Sequence, residues 1–220
     1  ADRRIAAVTL TGSSAAGRKV AAIAGQHLKK CVLELGGSDP FIVLDDADIE
    51  WTAQQALIAR LQNMGQSCIA AKRFILQETI ADSFVERLQV LISQLRSGDP
   101  KDAATTIAPM ARMDLRNELH AQVERSLALG AKLRAGGFSI GEQGAYYAPT
   151  ILDQVQPGMP AFDEELFGPV FAIVRVSNAE EAVKLANQTQ FGLGGSVWTG
   201  DLSWGEALAR QIHAGCTFVN

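Results

Sequence analysis

The sequence predicts an α/β fold built on a parallel sheet. Apolar runs of strand length alternate with longer amphipathic segments along the whole chain. A first strand, a helix and a second strand fall within about thirty residues, the length of one βαβ unit. Gly, Pro, Asn and Asp punctuate the junctions.

Ile5–Leu10 is a short apolar run that reads as a buried strand. Thr11-Gly12-Ser13-Ser14 turns the chain, and either serine is a suitable cap for a helix over Ala15–His27. Cys31–Leu35 is the next strand, closed by Gly36-Gly37, which also reads as a break between two lobes. Phe41–Leu44 is a strand, Asp45–Asp48 a capping cluster, and Ile49–Leu61 a helix. A strand over Lys72–Gln77 precedes an amphipathic helix over Thr79–Leu95, with Ile80, Phe84, Leu88, Leu91, Ile92 and Leu95 on one stripe. A second long helix spans Arg112–Leu129 and is stopped by Gly130. Ala131–Arg134 is a short strand, the glycines from Gly136 to Gly144 mark a surface loop, and Tyr147–Leu152 is extended. Gln156–Pro160 is a turn. Val170–Val176 is a strand, and Asn178-Ala179-Glu180-Glu181 has the form of a capping box opening a helix to Asn187. Gly194–Trp198, a helix from Asp201 to His213, and a strand over Gly215–Val219 complete the alternation.

The 220 residues suffice for one large domain, or one domain with part of another. Hydrophobic residues make up 47% and charged residues 20%, ordinary for a soluble globular protein. A net charge of −4 disfavours a nucleic-acid role, which calls for a basic face. No apolar run reaches the length of a membrane span. Cys31, Cys68 and Cys216 are odd in number and far apart, which fits a reducing, cytoplasmic compartment better than a disulfide framework. The chain opens Ala-Asp-Arg-Arg and runs straight into strand-like sequence, with no signal-peptide pattern. Strand-like sequence close to both ends suggests a piece of a longer protein.

The chemistry centres on Gly65-Gln66-Ser67-Cys68, a loop between a helix and a strand. A cysteine there is placed to react, because the turn brings backbone N–H groups towards the sulfur. It is equally the kind of residue that serves as a small buried hydrophobe, and the loop alone leaves both readings open. Zinc is not expected: there is no C-x-x-C or H-E-x-x-H, and His27, His120 and His213 lack paired spacing. Glu34, at the end of an apolar strand, is the candidate base. Burial there raises a carboxylate's pKa into a general base's range, whereas a strand end open to water leaves it ordinary. Gly12 and Gly17 have neither the dinucleotide fingerprint nor the P-loop spacing, so on their own they read as a turn or a weak phosphate site. Phe162–Val170, acidic and aromatic before a Gly-Pro break, is either a shaped loop for ligand hydroxyls or a solvated acidic turn.

Taken together, Leu10-Thr11-Gly12-Ser13, Leu33-Glu34-Leu35-Gly36-Gly37, Gly65-Gln66-Ser67-Cys68 and Glu164-Glu165-Leu166-Phe167-Gly168-Pro169-Val170 resemble the aldehyde dehydrogenase superfamily, in its order and spacing and over the whole chain. Leu35–Val43, Ala70–Phe74 and Pro109–Arg112 look most like the bacterial NAD(P)-dependent succinate-semialdehyde dehydrogenase branch. The resemblance implies residues 1–36 as the tail end of a Rossmann-like cofactor domain and residues 37–220 as the catalytic domain. It implies NAD or NADP as cofactor, a small-molecule aldehyde as substrate and a homo-oligomeric full-length protein. Cys68 would attack the aldehyde and form a thiohemiacetal, with its backbone N–H holding part of the oxyanion. Hydride transfer to the nicotinamide would leave a thioester, which Glu34 would hydrolyse by activating water. Gly12, Ser13 and Gly17 would lie at the pyrophosphate, Leu35 by the nicotinamide amide, Glu165 at the ribose hydroxyls and Phe167 beside the ring. A non-enzymatic truncated module of the same fold is the alternative, and a cofactor-free thioesterase-like hydrolase a more distant one. The resemblance also implies that most of the cofactor domain and half of the oxyanion hole lie outside these residues. The 220-residue chain by itself is therefore expected to bind NAD weakly and oxidise little aldehyde. Full-length-like NADH production by the isolated chain would overturn that.

Overall fold

In the computed structural model, which describes residues 2–220, the chain divides into two units after Gly37. In the first, β1 (Ala7–Thr11), α1 (Ser14–Gln26) and β2 (Lys30–Glu34) form the expected βαβ unit. The strands pair in parallel, Ala7 opposite Lys30 through Thr11 opposite Glu34. Ser13 is the cap: its Oγ accepts the Ala16 N–H at 3.2 Å, satisfying one of the helix's orphan donors. Gly17 is fixed by packing. A Cβ there would lie 2.6 Å from Leu35 Cδ2, so the missing side chain lets Leu35 rest on the helix.

The second unit, Ser38–Asn220, is a seven-stranded sheet. Its strands are β3 (Pro40–Val43), β4 (Arg73–Gln77), β5 (Lys132–Ala135), β6 (Thr150–Asp153), β7 (Val170–Val176), β8 (Gly194–Trp198) and β9 (Cys216–Val219). The order is β5-β6-β7-β4-β3-β8-β9, and only the β5–β6 pair is antiparallel. The helices are α2 (Ile49–Leu61), α3 (Glu78–Ser93), α4 (Met113–Ala128), α5 (Pro160–Asp163), α6 (Ala179–Asn187) and α7 (Leu202–Ala209).

Strand side chains alternate between faces, and helices cover both, so the central strands read as continuous apolar runs. Phe41, Val43, Phe74, Leu76, Phe171 and Ile173 pack with Ala53 and Ala56 of α2 and Ile80, Phe84 and Leu88 of α3. Ile42, Ile75, Ala172 and Val174 pack with Leu119 and Val123 of α4, Ala182 and Ala186 of α6 and Leu208 of α7. On the first face four adjacent strands are laced by aromatic rings. Phe171 and Phe74 have centroids 5.1 Å apart, Phe74 and Phe41 5.2 Å, and Phe41 and Trp198 4.9 Å, within the range in which such pairs attract beyond simple burial.

Two expectations shift. The helix opened by Asp201 ends at Ala209 rather than His213, because Gln211 and Ile212 donate to the carbonyls of Leu208 and Ala209 in tight turns. A short helix, α5, occupies part of the stretch expected to be loop, with Pro160 in its first turn, where a missing N–H costs nothing. Within the extended stretch Tyr147–Leu152, the chain joins the sheet from Thr150, and Tyr147 bridges Ser139.

Phe74→Ala removes one of the two inner rings of the lacing and is expected to destabilise the chain by about 3–5 kcal/mol in urea unfolding. Phe218→Ala, at a side chain 65% exposed, is expected to change stability by less than about 0.5 kcal/mol.

Candidate active site

The first unit gathers its candidates at the carboxyl ends of β1 and β2. Gly12 follows β1, and its N–H donates to the Glu34 carbonyl at 2.9 Å. Ser13 caps α1, whose first turn contains no acidic residue. The first-turn N–H groups that Ser13 does not cap, on a turn with no acidic residue, suit an anionic phosphate group. Gly17 N–H is satisfied by the Ser13 carbonyl at 2.9 Å, and Leu35 lies against Gly17. The Glu34 side chain is exposed. Of the two readings of this carboxylate, the structure of this chain gives the one open to water.

In the second unit the chain leaves α2 and turns back through Asn63, Met64 and Gly65, all in the left-handed region (φ 51, 56 and 73°). Asn and Gly adopt this backbone readily; Met does so at a cost of order 1–3 kcal/mol. The surroundings enforce it. Arg60 is fully buried in α2 and donates from Nη1 to the Ala71 carbonyl at 2.8 Å and from Nη2 to the Gly65 carbonyl. Asn63 Nδ2 donates to the Gln66 carbonyl at 3.0 Å, and Gln66 Oε1 accepts the Ala111 N–H at 2.8 Å. A Cβ on Gly65 would collide with the Gly168 carbonyl. The glycine thus lets the Cys68 loop sit against the Glu165–Pro169 loop.

Cys68 is partly buried at the start of the return towards β4. Behind it lies Lys72, its side chain 1% exposed. The ammonium donates to the carbonyls of Ser67, Cys68 and Ala70 at 3.2, 3.0 and 2.9 Å, which uses all three of its hydrogens. Glu165 Oε1 lies 3.9 Å from the same Nζ, on a side chain 21% exposed. Burial pushes the Lys72 ammonium down to about 8, helped by repulsion from Arg60 and opposed by Glu165, Asp39 and Cys68. Arg73 is pushed down to about 10, again chiefly by burial. Its guanidinium donates to the carbonyls of Ser38, Leu185 and Ala186.

The Glu165 loop is pinned from outside. Arg125 of α4 grips the neighbouring Glu164 with two bonds of 2.9 Å and holds its carboxyl below the usual range. Gln122 donates to Glu164 and, at 3.2 Å, to the Glu165 carbonyl. Phe167 follows, partly buried, before Pro169 leads into β7. Cys68, Glu165 and Phe167 therefore belong to loops that enter β4 and β7 at their amino ends, whereas Gly12 and Glu34 lie at carboxyl ends.

Lys72 and Arg60 carry this geometry, and residue patterns did not single them out as site residues. The available signal was physical: two successive cations, Lys72-Arg73, open an apolar strand, and buried charges are costly unless paired. Among the described residues no group of three or more His, Cys, Asp or Glu is arranged to hold a metal, and no helix is long and apolar enough to cross a membrane.

Comparison with known proteins adds an independent line. The model of the aldehyde dehydrogenase family matches residues 1–220. The Escherichia coli K12 succinate semialdehyde dehydrogenase [NAD(P)+] Sad is 52% identical over 219 residues, covering 100% of this chain and 47% of its own. A probable succinate-semialdehyde dehydrogenase [NADP(+)] from Synechocystis is 49% identical over 220 residues, covering 48% of its own length. The crystal structure of succinic semialdehyde dehydrogenase from Streptococcus pyogenes in complex with NADP+ superposes with a TM-score of 0.96 at 39% identity, covering 100% of this chain and 48% of that one. The chain spans about half the length of the curated relatives it matches.

The burial of Lys72 has a measurable sign. Below pH 8 the folded and unfolded chains both hold its proton. Between pH 8 and the ordinary lysine value of about 10.4, the unfolded chain binds more, so stability rises with pH. The urea unfolding free energy of the native chain minus that of Lys72→Met is expected to be flat from about pH 6 to 7.5 and to climb from about pH 8 to 10. A flat difference throughout would show that Lys72 holds an ordinary proton.

Proposed function

The chain belongs to the aldehyde dehydrogenase family, and from that premise we propose that it carries the catalytic part of an NAD(P)-dependent enzyme oxidising an aldehyde, succinate semialdehyde first among candidates, to its carboxylic acid. The observation that carries the mechanism is the cysteine loop, strained through Asn63-Met64-Gly65, clamped from behind by Lys72 and abutting the Glu165 loop. The substrate class is supported by the names of the relatives above.

In this reading Cys68 Sγ attacks the carbonyl carbon, forming a carbon–sulfur bond and an oxyanion. The Cys68 N–H donates to that oxyanion. When bound, the nicotinamide cofactor supplies the acceptor for the hydride whose loss turns the hemithioacetal into a thioester. Gly12 and Ser13 would hold its phosphates at the α1 N-terminus, Gly17 and Leu35 would shape that surface, Glu165 would accept from ribose hydroxyls, and Phe167 would border the ring. Glu34 then takes a proton from water as the water oxygen attacks the thioester, and the carbon–sulfur bond breaks to release the acid and the Cys68 thiolate. Taken singly, the donors suit parts of the cofactor: first-turn N–H groups of α1 would serve a phosphate, and a carboxylate would serve hydroxyls.

The test uses the full-length protein. Reduced-nicotinamide absorbance is followed with succinate semialdehyde against aliphatic and aromatic aldehydes, using NAD and NADP in turn. Cys68→Ser is expected to lower kcat by about 10³-fold or more. Glu34→Gln is expected to stall after acylation, so that intact mass shows a thioester on Cys68. A Cys68→Ser protein that still oxidises aldehyde at the native rate would end this reading.

A further inference from the structure

The way Lys72 is buried assigns it a role in the reaction. We propose that Lys72 is a positioning residue that builds the oxyanion site, by fixing the peptide planes on either side of Cys68 so that their N–H groups face away from it. The inference rests on the reading of Cys68 as nucleophile.

The described peptide bonds are all trans, so the C=O of each unit and the N–H of the next residue point in opposite directions. Lys72 Nζ draws in the carbonyls of Ser67 and Cys68 at 3.2 and 3.0 Å. The N–H groups of the same two peptide units belong to Cys68 and Ile69. Both therefore point to the side opposite the ammonium, and two successive N–H groups on one side make a concavity for an anion. The third carbonyl, of Ala70, and the bond from the Ala70 N–H back to the Ser67 carbonyl at 3.2 Å close the turn, so neither plane is free to rotate. Nothing in this arrangement requires Lys72 to touch the substrate. The titratable groups facing its ammonium are Arg60 on α2, Asp39 at the entry to β3, Glu165 on the loop before β7, and Cys68 itself. Asp39 helps hold the base of the side chain, since its carbonyl accepts the Lys72 N–H at 3.0 Å.

The test separates an oxyanion effect from an effect on the thiol. In the full-length protein without cofactor, two reactions of Cys68 are timed at the same pH. Acylation by p-nitrophenyl acetate passes through a tetrahedral oxyanion and expels p-nitrophenolate. Alkylation by iodoacetamide displaces iodide and forms no oxyanion. Their ratio cancels the thiolate fraction common to both. Lys72→Met is expected to lower the ratio by about tenfold or more, since loss of one oxyanion donor costs 10²–10³-fold in other enzymes. Lys72→Gln, whose amide still donates two hydrogens, is expected to recover part of it and provides the same comparison should the Met variant fold poorly. An unchanged ratio in a folded variant, whether the two rates stay or fall together, overturns the proposal. Cys68→Ser is run beside them: if it releases p-nitrophenolate at the native rate, the nucleophile reading itself falls, which is a separate result.

Discussion

Three buried cations hold the second unit in its working shape. Arg60, Lys72 and Arg73 are each at most 1% exposed, and each donates mainly to backbone carbonyls. A bare buried charge is expensive. Here most of the donors are matched by carbonyl oxygens that would themselves be orphaned in an irregular loop. The loops and the cations thus solve each other's desolvation problem. Removing one cation would leave several carbonyls unsatisfied at once, and irregular backbone at Ser67–Ala71 is tolerated only because the cations are there.

Most of the fold was legible because the pattern of burial is regular. The helix over Ile49–Leu61 and the strands over Val170–Val176 and Gly194–Trp198 fall where apolar spacing placed them. What was not legible depends on the detail of local hydrogen bonding. The end of α7 is set by turns at Gln211 and Ile212, where apolar spacing continues but the hydrogen bonding does not. The capping box at Asn178 is present with a shift: Asn178 accepts from the Glu181 N–H, while the Glu181 carboxylate reaches the N–H and hydroxyl of Ser177 instead of Asn178. Spacing fixes which residues take part in a cap, and local backbone fixes which donor is nearest.

The candidate site was legible to a different degree. Cys68, Glu34 and Glu165 stand out as chemically able residues next to breaks in regular structure. The reason their loops hold still was invisible, because a lysine in a sequence ordinarily reads as a surface charge. Only the surrounding carbonyls, drawn from Ser67, Cys68 and Ala70, turn Lys72 into an interior strut. Glu34 illustrates the converse: its strand-end position was compatible with a sheltered or an open carboxylate, and its surroundings within this chain leave it exposed.

The parallel sheet of the second unit also sorts its residues by strand direction. At the carboxyl ends lie helix caps: Asp48, Asn178 and Asp201 each accept an N–H in the first turn of the helix that follows. Asp46 and Thr199 are tied together there by bonds of 2.8 and 2.9 Å. At the amino ends of β4 and β7 lie Cys68 and Glu165. Both rims of the sheet therefore carry structural hydrogen bonds: side-chain caps at the carboxyl ends, and buried cations on loop carbonyls at the amino end of β4.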